Sequence, residues 1–328
     1  MLALPEKGIN RSVAKHNSDI NVLCDWVEAS VVFDDTQELS KSDLIDTLIE
    51  NEVYPSNEED SGSWESSSQD FASEIVEDVW SEISRRMNYL ANPLGITVSG
   101  NRITRADDWK SFPAYGFCLA LACAELYPSY AGKWPGAYAI QGELFEELAK
   151  ESFKNIFLGW TVRRIGWSPD NPSRLKDVIN SIINELNEVS GSELDVHIDA
   201  YTKELGLDLL AYYSFADNHA SIPVLLVQCA SGRNWMSKRT APDLVVWKKI
   251  VNFNSNPVRA FAIPFALADD DKFRKLTTSV EGVFVDRNRL LGAFRRNLAQ
   301  VSGVSGELNT RLVEWVSPRM DAIPRDNE

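Results

Sequence analysis

Apolar positions recur along this chain with helical spacing at first, and spacings typical of strands join them after about residue 136. In residues 42–50, Leu44, Ile45, Leu48 and Ile49 form a helical stripe opened by a serine cap. Residues 71–90 repeat the pattern through Ile75, Val76, Val79, Trp80 and Ile83. Residues 20–33 are mostly apolar. Residues 115–127 are almost continuously so, long enough for a buried helix and too short for a membrane span. Between these pieces, residues 56–70 are serine-rich and acidic and read as a mobile loop or linker. Residues 1–135 are therefore expected to form a mainly helical domain. The stretch Gly132-Lys133-Trp134-Pro135-Gly136 is expected to be the hinge that leaves it.

After the hinge the order becomes mixed. Residues 141–157 predict an amphipathic helix with Phe145, Leu148, Ala149, Ser152 and Ile156 on one stripe. Residues 159–167 alternate as a strand does, and residues 173–189 carry a second helical stripe from Leu175 to Leu186. Two strands are predicted at 205–215 and 222–229, joined by a hairpin-like turn at 216–221. A helix (242–251), a strand (258–265), a short strand (282–285) and a helix (286–298) follow. This order predicts an α/β domain over residues 136–328, its sheet covered on both faces. Trp235 and Trp247 are expected to pack beneath that sheet, as most tryptophans do. Asp286 is expected to cap the last helix, with Arg287 and Arg289 facing solvent.

Charge refines the picture. The chain of 328 residues has a formal charge of −15, yet residues 1–100 hold 20 acidic and 6 basic side chains while the rest is nearly balanced. The first domain should repel a polyanion. Within 231–260 the balance turns positive, with Arg233, Lys238, Arg239, Lys248, Lys249 and Arg259 against Asp243. Such a patch either holds phosphates or is simply a solvated face, and the sequence leaves both open. No apolar run is long enough to span a bilayer, and the first ten residues lack the basic and apolar segments of a secretory signal, so a cytoplasmic location and no membrane partner are expected. Four cysteines without a Cys-x-x-Cys pair and three isolated histidines, His197 and His219 in predicted loops, argue against a zinc site or a disulfide framework. No Walker or dinucleotide glycine loop and no Gly-x-Ser-x-Gly elbow occurs.

The candidate chemistry lies on the predicted hairpin. Asp208 stands between Leu207 and Leu209, and Gln228 near the end of the apolar run that begins at Val224. Buried strands exclude such side chains unless they find partners, because an unpaired polar group costs about 1–3 kcal/mol. Two exceptions on adjacent strands can converge on one cation. Each also has a plain explanation: Asp208 as a turn residue at a strand start, Gln228 as a strand end.

The order of elements and these residues resemble the restriction-endonuclease-like, or PD-(D/E)xK, nuclease superfamily. There the first core helix often carries Gly-x-x-Phe-Glu, which stands here as Gly142-Glu143-Leu144-Phe145-Glu146. Asp208 matches the metal-binding aspartate, and Gln228-Cys229-Ala230 the final motif of Glu or Gln, one residue, then Lys. The resemblance covers roughly residues 140–290 and implies a mixed sheet core flanked by helices. It also implies Mg²⁺ or Mn²⁺ held by Asp208, Glu146 and Gln228, with DNA as substrate. Ala230 departs from the pattern; Lys238 in the following turn is the expected replacement ammonium, and Arg233, Arg239, Lys248 and Lys249 the expected phosphate contacts. The setting implied is restriction or anti-phage defence, beside a separate ATPase or helicase. The missing lysine equally fits a catalytically decayed scaffold or DNA-binding subunit. Taken alone, Glu146 is also an ordinary solvated residue paired with Lys150.

Overall fold

The computed structural model describes residues 1–7, 9, 17–51, 64–133, 138–165, 175–194, 205–295 and 303–325. Residues 134–136 of the expected hinge, the first part of the expected linker (56–63) and His197 lie outside them. Contacts divide the chain into two compact units: residues 1–135 with 265–270 and 305–328, and residues 136–264 with 271–304. No helix among the described residues is long and apolar enough to cross a membrane.

The first unit holds α1 (Asn17–Phe33), β1 (Glu38–Ser40), α2 (Lys41–Glu50), α3 (Trp64–Tyr89), β2 (Thr97–Ser99), β3 (Arg102–Thr104), α4 (Pro113–Leu126) and α5 (Pro128–Gly132). Ser40 caps α2 through a reciprocal box: its Oγ accepts from Asp43 N–H at 3.1 Å while its own N–H donates to Asp43 Oδ2 at 2.9 Å. The three strands form a small antiparallel sheet in the order β1-β3-β2. The apolar α4 is buried almost throughout, as its composition requires. Arg86 on α3 is fully buried, and its guanidinium donates to Asp25 (2.7 Å), Glu28 (2.7 Å) and Glu82 (2.8 Å).

The linker expectation is corrected at its second half. Residues 64–70 are the opening turns of α3, which runs 26 residues. Serines and acidic residues near a helix start are compatible with a helix whose stability comes from the packing of its later turns.

The second unit runs α6 (Tyr138–Ile156), β4 (Thr161–Arg164), α7 (Leu175–Leu186), β5 (Val189–Ser190), β6 (Leu209–Tyr212), β7 (Val224–Cys229), α8 (Leu244–Ile250), β8 (Val251–Asn252), β9 (Val258–Ala262), α9 (Asp270–Val280), β10 (Gly282–Val285) and α10 (Arg287–Gly292). Five strands make a mixed sheet in the order β10-β9-β7-β6-β4. The pairs β4–β6 and β6–β7 are antiparallel, while β7–β9 and β9–β10 are parallel. Each parallel pair is joined by a crossover carrying a helix, α8 or α9, because a tight turn cannot connect parallel strands.

Alternation on the strands sets the layers. Leu210, Tyr212, Val224 and Leu226 point into a cluster with Ile179, Ile182, Ile183 and Leu186 of α7 and Trp247 and Ile250 of α8. Each such side chain contributes roughly 1.5–3 kcal/mol on burial. The opposite face carries the small residues Ala211, Ala260 and Ala262, all buried. Successive arginines on β4 show which helix covers which face. Arg163 reaches Ser181 and Glu185 of α7, at 3.0 Å each, whereas Arg164 reaches the glutamates of α6. The unit is thus a mixed α/β sheet with helices on both sides.

Two sequence expectations change here. The second domain does not extend to residue 328: α11 (Gly306–Met320) belongs to the first unit, where Trp315 meets Phe117 edge-on at 5.0 Å. Its apolar stripe of Leu308, Leu312, Trp315 and Val316 needs cover, and α4 supplies it. The second change concerns Arg287, which is fully buried and does not face solvent, although Asp286 caps α10 as expected by accepting from Arg289 N–H at 3.0 Å. Arg289 lies over the Phe273 ring at 4.6 Å, and its Nη1 donates to Phe284 O at 2.8 Å.

Candidate functional site

Asp208 and Gln228 face each other across the β6–β7 ladder. The register pairs Leu209 with Val227, so Asp208, just before Leu209, and Gln228, just after Val227, lie at the same end of the ladder. Asp208 is the residue just before β6, held by its N–H to Val227 O (2.9 Å) and its carbonyl to Ile165 N–H (2.7 Å). Both side chains are buried, each with 6 % exposure, so their polar atoms need partners. Asp208 Oδ2 accepts from the Cys229 N–H at 2.6 Å and from Gln228 Nε2, and the same amide nitrogen donates to Cys229 O at 3.0 Å. The carboxylate therefore closes the ladder where β6 begins and β7 ends.

Gly206 makes this approach possible. Its φ is +71°, and a Cβ there would stand 2.9 Å from Ala241 Cβ and 3.2 Å from Gln228 Oε1. A side chain would be strained by the backbone angle and would press on the Gln228 amide.

The third candidate, Glu146, comes from α6. Gln141, in the helix's second turn, donates through Nε2 to Ser231 O at 2.9 Å, fastening α6 to the chain just past β7. Phe145, Leu148, Ala149 and Phe153 bury one side of the helix, and Glu143, Glu146 and Glu147 share another at i, i+3 and i+4. These three glutamates surround Arg164. Its Nε donates to Glu146 Oε2 at 2.6 Å, its Nη1 to Glu147 Oε1 at 3.3 Å, and Glu143 Oε1 lies 3.9 Å from Nη1. Lys150 adds a 2.7 Å bond to Glu147. Burial alone would depress the Arg164 pKa; the Glu146 hydrogen bond and the surrounding carboxylates outweigh it and raise it.

Cys229 adjoins the Asp208–Gln228 pair through its backbone. Its buried thiol is pushed well above its ordinary range, first by burial, then by the charges of Asp208 and Glu146, with Arg164 acting the other way. By alternation, Arg164 and Cys229 belong to the α6 face and Gln228 to the other.

The remaining expected residues are more dispersed. Lys238 ends a short 3-10 turn (Trp235–Lys238), is exposed, and forms no hydrogen bond or ion pair with these groups among the described residues. Trp235 anchors that turn by stacking on Phe261 at 6.4 Å. Arg233 is exposed, Arg239 donates to Met236 O at 2.6 Å, and Lys248 and Lys249 are exposed in the last turn of α8. Arg259 leaves the basic patch: it is buried and donates to Pro242 O (2.9 Å) and Val280 O (2.8 Å). His219 is exposed in the loop after Asp217.

Sequence reasoning missed Arg164. The signal was present, because adjacent arginines on a strand must serve opposite faces, and a helix with three glutamates on one side lay nearby in the chain.

Among the described residues, no group of three or more His, Cys, Asp or Glu side chains could hold a metal ion. No family model, curated protein or solved structure matches this chain.

Proposed function

We propose that the second unit is a divergent restriction-endonuclease-like core that hydrolyses DNA phosphodiester bonds with Mg²⁺ or Mn²⁺. The observation that carries this reading is the Asp208–Gln228 pair across the β6–β7 hairpin, at the sheet end where α6 is fastened by Gln141. The order of helix, strand, helix, antiparallel hairpin, helix and parallel strand, with β4 antiparallel to β6, supports it. Asp208 and Glu146 would hold the cation, joined by Gln228 when its amide turns its oxygen inward. A divalent cation bound there supplies a water of lowered pKa and neutralises charge building on the scissile phosphate. Lys238 supplies the ammonium that Ala230 lacks, and Arg233, Arg239, Lys248 and Lys249 hold the DNA backbone. The acidic first unit serves as a regulatory or partner-docking domain that keeps DNA away by charge, in a cytoplasmic defence system with a separate ATPase or helicase.

One observation favours a second reading. Glu146 is already bonded to Arg164, and Asp208 Oδ2 already accepts two N–H donors. On that reading the fold is a catalytically decayed scaffold or DNA-binding subunit.

Incubation of supercoiled and linear DNA with Mg²⁺ or Mn²⁺ separates the two. The nuclease reading expects cleavage by the wild type and losses of about 10²-fold or more in both Asp208→Asn and Lys238→Ala. DNA retention without cleavage in any form selects the scaffold. Cleavage undiminished in Asp208→Asn removes the proposed site.

A further inference from the structure

The five-stranded sheet ends in β4, and the outer side of that strand is open among the described residues. Ile165 N–H bonds to Asp208 O at 2.7 Å, so the register turns the backbone groups of Ile165, Arg163 and Thr161 toward β6. Val162 and Arg164 therefore turn their N–H and C=O groups away from the sheet, and among the described residues no backbone bond meets them there. Natural edge strands are commonly blunted by charge. Here both arginines are engaged by glutamates of the flanking helices, Arg163 by Glu185 and Arg164 by Glu146 and Glu147. A row of aromatic rings continues the edge. Phe157 lies 5.2 Å from Trp160, Trp160 6.4 Å from Tyr213, and Tyr213 5.3 Å from Phe215. Tyr213 is 37 % exposed, Phe215 59 %, and Leu158, next to Phe157 in the chain, 36 %. Open backbone groups beside exposed aromatic and aliphatic side chains mark a pairing surface.

We propose that this edge pairs with the same edge of a second copy of the chain, antiparallel about a two-fold axis at Val162. That axis sets Val162 opposite the second copy's Val162, where each N–H reaches the other's C=O, and brings Arg164 N–H to the second copy's Trp160 C=O. Thr161 then faces the second copy's Arg163, and Trp160 its Arg164, an aromatic ring against a guanidinium. The neighbouring register, centred on Arg163, sets arginine against arginine and is disfavoured by like charge. Charge also argues for a second copy at this place. The chain carries −15 as a whole and repels its own copies. At β4 the arginines are matched by carboxylates, so two such edges meet without that repulsion. The pairing does not depend on the hydrolytic reading above.

Sedimentation of the full chain decides it. The wild type should dimerise in the micromolar range; a chain that stays monomeric up to its solubility limit overturns the pairing. Thr161 is exposed, so its side chain can be exchanged without disturbing the core. Thr161→Arg sets like charges against each other on both sides of the axis and should weaken the dimer about tenfold, whereas Thr161→Glu, facing Arg163, should hold or tighten it. Equal association of the two variants removes the register, and the pairing with it. Hydrogen exchange gives a readout that needs no variant. The Val162 and Arg164 amides should exchange readily in dilute protein and slow as the concentration rises through the dimer range. A dimer in which both amides exchange at a rate independent of concentration is joined elsewhere and sinks the proposal.

Discussion

The Asp208 carboxylate accepts from Cys229 N–H and from the Gln228 amide, so it closes the end of the β6–β7 ladder whatever else it meets. Substitution must separate that role from the proposed cation binding. Asp208→Ala leaves a buried N–H and a buried amide without their acceptor and should cost about 1–3 kcal/mol in urea unfolding. Asp208→Asn retains an oxygen and should cost less, which makes it the cleaner test of chemistry. If the two variants are equally stable, the ladder-closing role is wrong. Both Asp208 and Gln228 were legible in the sequence because a polar residue inside an apolar run is conspicuous. Their direct bond to each other was not, because register is a property of the pair of strands. The burial of Arg287 was hidden for a related reason: a charged residue after a capping aspartate looks solvated until its neighbours are known.

At the scale of elements, β4 joins the two helical layers through consecutive arginines, and the α6 side of that arrangement depends on pH. Burial would raise the Glu147 pKa; the Lys150 hydrogen bond and charge, with Arg164, outweigh it and hold it below the ordinary 4.5. A lowered carboxylate pKa stabilises the fold fully above 4.5, and that contribution is lost as pH falls through the lowered value. Glu147→Gln should therefore be less stable than the wild type at neutral pH, with the difference shrinking as pH drops below 4.5. Thermal unfolding across that range checks it; a constant difference contradicts the ion pairing. Periodicity gave α7 and β7 almost in place, since Ile179, Ile182, Ile183 and Leu186 repeat at helical spacing and every residue of β7 is buried. It passed over α9, although Phe273, Leu276 and Val280 follow helical spacing after Asp270. The three short strands of the first unit were also passed over, because three residues are too few to show alternation.

For the whole molecule, the division of the chain matters more than its overall charge. Residues 1–135 do not make up the first unit alone, because α11 and residues 265–270 complete it. Deleting 1–135 would leave α11 without its cover. Removing residues 305–328 should in turn uncover Phe117 and the rest of the buried α4 face. Leu312, Trp315 and Val316 each contribute roughly 1.5–3 kcal/mol by burial, against about 5–15 kcal/mol for a whole domain. The truncated chain should lose near-ultraviolet dichroism and become sensitive to trypsin within 1–135; a first unit that stays resistant would show α11 to be dispensable. By itself the sequence determined the longer periodic helices and the apolar strands, and which polar residues interrupt apolar runs, because both follow from local spacing. Tertiary structure alone decided that Arg164 meets Glu146, that Asp208 bonds Gln228, and that the C-terminal helix returns to the first unit. Those contacts join residues 18, 20 and nearly 200 positions apart, and no local pattern encodes which distant partner satisfies a buried charge or covers an apolar face.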